Sequence, residues 1–204
     1  MFTNNPYAQG GWYNPQNPLS INGEPWRAGL THPPTFGALP TFDKQSSLHT
    51  FLFSSFNPDF LNCTVTGPGN AKYFEVSTTS DTNKTTISKP GAQMGTIEWR
   101  GHPIIEAPGL IMRQLSLDFL KLSSDRTYRI MLVGKKTYAW IPRGNNGIYL
   151  YNYGPNPPSQ YARITMAQDG RSVRLELTSD AFQAGLFEPC IFSTVLLFSA
   201  RNID

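Results

Sequence analysis

Charge is what this chain has least of. Asp, Glu, Lys and Arg make up 15% of its 204 residues, against about a quarter in an ordinary globular domain. The formal net charge is +3, and the basic residues are scattered, so no nucleic-acid footprint is implied. Cysteine is nearly absent. Cys63 and Cys190 are the two thiols, far apart in sequence, which suggests no disulfide framework and two free buried thiols. Histidine is equally sparse. His32, His49 and His102 show none of the short spacings of a zinc site. No Gly-x-Ser-x-Gly elbow, Walker loop or dinucleotide fingerprint occurs. Gly144-Asn-Asn-Gly147 reads as a turn and not as a phosphate cradle, because no helix clearly follows it.

A membrane-length apolar run is missing too. The longest uncharged apolar stretch is Cys190–Ala200, well short of the about 20 residues a spanning helix needs. The opening Met-Phe-Thr-Asn-Asn-Pro has no basic region followed by an apolar core, so no secretory signal is read there. Asn62-Cys-Thr and Asn83-Lys-Thr then count as chance matches to the glycosylation pattern. These points set the expectation of an intracellular protein, cytoplasmic or nuclear, and at most peripheral at a membrane.

What is present falls into two parts. Residues 1–45 are rich in Pro, Asn and Gly, with Tyr7, Trp12, Tyr13, Trp26, Phe36 and Phe42 spread between the prolines. Such a segment breaks regular elements and cannot build its own core, so it reads as an irregular arm. Asn5-Pro6-Tyr7 and Pro33-Pro34 also resemble short recognition peptides of the kind that dock into aromatic grooves. Residues 46–204 read as one domain of about ten short strands. Alternation is clearest in 71–78, 95–100 and 161–166, and two hairpins stand out: 128–141, turning at Gly134-Lys-Lys136, and 161–178, turning at Gln168-Asp-Gly170. Leu115–Lys121 is expected to form a short helix. Regular strand spacing suggests a barrel or sandwich.

The final run is read as a helix. Pro189 suits the first position of a helix, and Glu188 would face the positive end of its dipole. Apolar side chains then appear on every side, at Ile191, Phe192, Val195, Leu196, Leu197 and Phe198, and a helix apolar all round is enclosed by its domain. Ile, Phe, Thr and Val also suit a central strand, which is the alternative. A barrel of this size needs something in its middle, and the C-terminal helix is the obvious filling.

Ordered stretches of the chain resemble the tubby-like superfamily, which includes tubby C-terminal domains, LURP-one-related proteins and phospholipid scramblases, and most closely a branch common in mushroom-forming fungi. The stretches are Ala71-Lys-Tyr-Phe-Glu-Val76, Gly95-Thr-Ile-Glu-Trp99, Arg126-Thr-Tyr-Arg129 with Tyr138-Ala-Trp140, Ile148-Tyr-Leu-Tyr151, Ala162-Arg-Ile164 and Leu175–Asp180, covering about 48–203. The resemblance implies a mainly β fold: a closed antiparallel β-barrel around a buried hydrophobic C-terminal helix. No functional motif of the family can be laid onto named residues.

Candidate sites follow from charge. Lys135 and Lys136 sit at a hairpin tip, with Arg126, Arg129 and Arg143 near them in sequence. These form the candidate contact with anionic lipid headgroups, each charge adding about 1 kcal/mol near such a surface. Tubby domains bind phosphoinositides, so the resemblance points the same way. Glu75, Glu98, Glu106, Asp118, Glu176 and Asp180 are the carboxylates that could pair as acid and base, though strand-borne carboxylates usually face solvent. Asp180 could instead cap the turn before the last helix. The expectation is a non-catalytic binding or scaffold module with no cofactor. Its partners are anionic headgroups or, through the arm, another protein. An enzyme with an unrecognised site is the remaining alternative.

Overall fold

The computed structural model describes residues 47–154 and 158–204. The arm expected over 1–45 and part of the loop at Pro155–Pro158 lie outside the described residues.

The domain is mainly β. Its strands are β1 (Leu48–Ser54), β2 (Cys63–Thr66), β3 (Lys72–Thr79), β4 (Lys84–Lys89), β5 (Ala92–Glu98), β6 (Ile104–Ala107) and β7 (Ile111–Leu115). A four-residue helix, α1 (Ser116–Phe119), leads to β8 (Leu120–Leu122). The rest are β9 (Arg129–Val133), β10 (Lys136–Pro142), β11 (Ile148–Asn152), β12 (Gln160–Met166) and β13 (Val173–Thr178). Two helices close the chain, α2 (Ser179–Gln183) and α3 (Phe187–Phe198). The strands form a single 13-stranded sheet in the order β7-β6-β5-β4-β3-β2-β1-β13-β12-β11-β10-β9-β8.

Every neighbouring pair is antiparallel. β7 and β8 hold the first and last places, so they point the same way. Side-chain alternation decides the inner face. In β13, Val173, Leu175 and Leu177 are buried while Arg174 is exposed, and in β12 Ala162 and Ile164 are buried between more accessible neighbours. The hairpin expected over 128–141 is β9 and β10. Lys136 pairs with Val133, which leaves Gly134-Lys135 as a two-residue turn. Gly134 has φ 61°, a left-handed value that glycine adopts without strain at the first central position.

Three expectations change. The strand count rises from about ten to 13, chiefly because β7 and β8 carry no clean alternation. The helix expected over 115–121 is confined to Ser116–Phe119, and Leu120–Leu122 pair with β9 instead. Asp180 does not cap the last helix, whose N-cap is Leu186 with no side-chain bond; a separate short helix, α2, begins at Ser179 with Thr178 as its cap. Thr178 Oγ1 accepts from the Ala181 N–H at 3.2 Å, and Asp180 stands in the first turn of α2.

The uncharged run is helical, as α3. Pro189 occupies its third position rather than the first. It remains within the first turn, where a missing N–H removes no intrahelical bond. Pro189 to Leu196 are all buried. The two hydroxyls among them bond to the preceding turn, Ser193 Oγ to the Pro189 carbonyl at 2.8 Å and Thr194 Oγ1 to the Cys190 carbonyl at 2.7 Å, which answers the need of a buried polar group for a partner. Ser193 Oγ also lies 3.2 Å from Met131 Sδ on β9. On β5, Gly95 gives way to the Phe192 ring: a Cβ there would stand 2.6 Å from Phe192 Cζ and also against the Glu106 carbonyl. Strands from opposite ends of the sheet order therefore meet successive residues of one helix. No helix among the described residues is long and apolar enough to cross a membrane.

Gly95→Ala tests this contact. Its methyl meets backbone on one side and Phe192 on the other, so overpacking should cost about 1–3 kcal/mol. The denaturant midpoint should fall with an unchanged slope.

Candidate functional site

The strand directions divide the surface into two ends. At the upper end lie the turns after β2, β4, β6 and β9, the start of β1, α2 and the first turn of α3. At the lower end lie the turns after β3, β5, β8, β10 and β12 and the residues after α3.

The lower end is held together by charge. Arg129 donates from both terminal nitrogens to the Asp204 carboxylate, each at 2.8 Å, and also to the Leu120 carbonyl at 2.9 Å. This bidentate pair holds the Asp204 carboxyl below its usual range. Ser116 Oγ donates to the Ile203 carbonyl at 2.7 Å, and the Ile203 side chain is buried. Arg201 lies 4.9 Å over the Trp99 ring and donates to Asn83 Oδ1 at 2.6 Å.

The upper end is different. Its cations are Lys72 at the start of β3, Lys89 at the end of β4, and Lys135 and Lys136 at the β9–β10 turn. Five of the large exposed apolar side chains also sit here: Leu48, Leu110, Met112, Leu132 and Tyr153. Met112 is 87% exposed and Leu132 60%.

The five basic residues singled out in the sequence are thus not gathered in one place. Lys135 and Lys136 are exposed at the upper end. Arg126, in the turn after β8, Arg129, at the start of β9, and Arg143, after β10, are all at the lower end. Arg143 packs 5.7 Å from the Tyr151 ring centroid, and Arg129 is committed to Asp204. Sequence proximity across a hairpin misleads here because its strands run the length of the sheet, at about 3.3 Å per residue.

The carboxylates are mostly engaged by cations. Arg113 bridges Glu98, at 2.9 Å, and Glu106, at 3.2 Å, and its hydrogen bond holds the Glu98 carboxyl below the usual range. Glu176 pairs with Arg163 at 2.6 Å and Glu75 with Lys72 at 2.7 Å. Asp118 stands in the first turn of α1. Burial, with Asp59 adding to it, pushes the Cys63 thiol up to about 12, and burial pushes Cys190 up as well. Neither thiol is therefore an available thiolate. His49 packs edge-on against Phe182 at 4.8 Å, and His102 reaches the Asp204 carbonyl at 3.3 Å. Among the described residues no three His, Cys, Asp or Glu gather to hold a metal ion.

One feature of the upper end had no counterpart in the sequence reading. Phe187, the first residue of α3, packs with Phe51 of β1 at 4.6 Å, Phe182 of α2 at 5.0 Å and Phe74 of β3 at 5.4 Å. Beside this cluster is a cavity of about 330 Å³ lined by Ala71, Lys72, Tyr73, Phe74, Lys89, Pro90 and Phe187. Lys89 Nζ lies 5.6 Å from the Phe74 ring centroid and 2.8 Å from Glu188 Oε1. The aromatic residues come from separate elements, which no local pattern joins.

No protein-family model matches the chain, and no curated protein matches it. An X-ray structure of a protein from Arabidopsis thaliana is similar at 10% identity, over 69% of this chain and 88% of that one, with a TM-score of 0.36. A likeness that slight bears on neither fold nor function.

The Asp204 latch makes a pH prediction. A carboxyl lowered in the folded state contributes stability above its unfolded value of about 3.9, and the contribution is lost as pH falls through the folded value. Asp204→Asn should therefore lower Tm near pH about 7, and the difference should shrink as pH falls below about 3.9 toward the lowered folded value. Thermal melts of both proteins across that range check it.

Proposed function

We propose that this chain is a non-catalytic binding module that docks its upper end on an anionic membrane surface. The observation that carries the reading is the composition of that end: exposed Leu48, Leu110, Met112, Leu132 and Tyr153 among Lys72, Lys89, Lys135 and Lys136. Exposed apolar side chains grouped with cations suit an interface with a headgroup layer. Lys135 and Lys136, which hold no carboxylate among the described residues, each contribute about 1 kcal/mol near such a surface, and each apolar tip contributes about 25 cal/mol per Å² removed from water. The resemblance to tubby-like proteins, with their phosphoinositide-binding members, favours the same reading.

The fold we infer with it is a closed barrel. β7 and β8 point the same way and are separated only by the four residues of α1. A crossover between parallel strands needs about a dozen residues or more, so residues 111–122 run on as one span. The first half pairs with β6 and the second with β9, which joins the two ends of the sheet and leaves α3 as the filling. A filled barrel has no lumen for a substrate and offers its ends and outer face for binding.

The test is sedimentation with vesicles of phosphatidylcholine alone or with added phosphatidylserine. The parent should bind only the anionic vesicles and be released by high salt. Lys135→Glu with Lys136→Glu should lose most of this binding, and Met112→Ser should weaken it without altering the melting temperature. Undiminished binding by the double variant, or no binding by the parent, overturns the reading.

A further inference from the structure

The cavity at the upper end is open to solvent and lined by aromatic and cationic side chains. Tyr73, Phe74 and Phe187 give it aromatic walls, Pro90 adds another apolar surface, and Ala71 lies exposed among the lining residues. Its volume of about 330 Å³ is at the small end of ligand pockets, which run from about 300 to 1,000 Å³. The lining contains two lysines and no carboxylate. Both ammonium groups already hold carboxylates from outside that lining: Lys72 donates to Glu75 at 2.7 Å and Lys89 to Glu188 at 2.8 Å.

Those two pairs are substantially solvent-exposed. Exposed ion pairs contribute about 1 kcal/mol or less, so an incoming carboxylate exchanges for a glutamate at little cost. Lys89 Nζ also leans over the Phe74 ring, which places one cation directly beside the apolar wall.

We propose that this cavity binds a small amphipathic carboxylate. An aromatic or short acyl body packs against Tyr73, Phe74 and Phe187, and the carboxylate is taken by Lys89 and Lys72. Its ligand is a free molecule and not a membrane surface, although Lys72 and Lys89 belong to both proposed sites.

Calorimetric titration of the full chain with 1-naphthoate and with decanoate, in the absence of vesicles, tests it. Both should bind, and the neutral analogues 1-naphthalenemethanol and decanol should bind about tenfold more weakly, as expected for loss of a charge-assisted hydrogen bond. Lys72→Met with Lys89→Met should bring the carboxylates down to the affinity of the neutral analogues. Ala71→Trp should fill the cavity and abolish binding of all four while the melting temperature stays unchanged, because Ala71 is exposed. Absence of carboxylate binding at about 1 mM, equal binding of the neutral analogues, or full affinity in folded Ala71→Trp would each overturn the proposal.

Discussion

Everything in this domain is arranged around the need to hide α3. From Pro189 to Leu196 no side chain reaches solvent appreciably, so a single flat layer packed on one side would not suffice. The sheet answers by meeting the helix from several directions. Gly95 on β5 makes room for Phe192, Met131 on β9 meets Ser193, and Phe51 and Phe74 pack on Phe187. The hydroxyls of Ser193 and Thr194 turn back onto their own helix, so they ask nothing of the surrounding apolar wall.

The two ends of the sheet then take different roles. At the lower end the residues after α3 are fastened by Arg129–Asp204, by Ser116 on the Ile203 carbonyl and by Arg201 over Trp99. Arg129 and Arg201 there are used in holding the molecule together. At the upper end the turns carry lysines and exposed apolar side chains, and the aromatic cluster under α3 leaves a cavity open beside it. Binding is proposed at the upper end because exposed apolar side chains stand there beside Lys135 and Lys136.

Much of the fold could be read from local pattern. The β9–β10 hairpin, the alternation of β3, β12 and β13, and the helical character of the final run each depend on near neighbours in sequence. β7 and β8 were hidden because Met112 and Arg113 sit exposed side by side and a turn of helix interrupts the span. Asp180 was read as a cap of the last helix because the short α2, which begins as soon as β13 ends, was not foreseen. The site was far less accessible to such reading. Lys135 and Lys136 are where the hairpin put them, but Arg126, Arg129 and Arg143 fall at the other end because strands separate residues that the sequence brings close. Phe51, Tyr73, Phe74 and Phe187 become one wall only when β1, β3 and α3 are assembled.

The central claim is that α3 fills the sheet, and Leu196, 1% exposed in its last turn, is the place to test it. The measurement is circular dichroism and a denaturant titration of Leu196→Asp beside the parent. An unpaired buried charge costs about 3–5 kcal/mol or more against a typical stability of about 5–15, so the account predicts a protein that is unfolded or melts far below the parent. A soluble Leu196→Asp protein with the parent's spectrum and midpoint would contradict it.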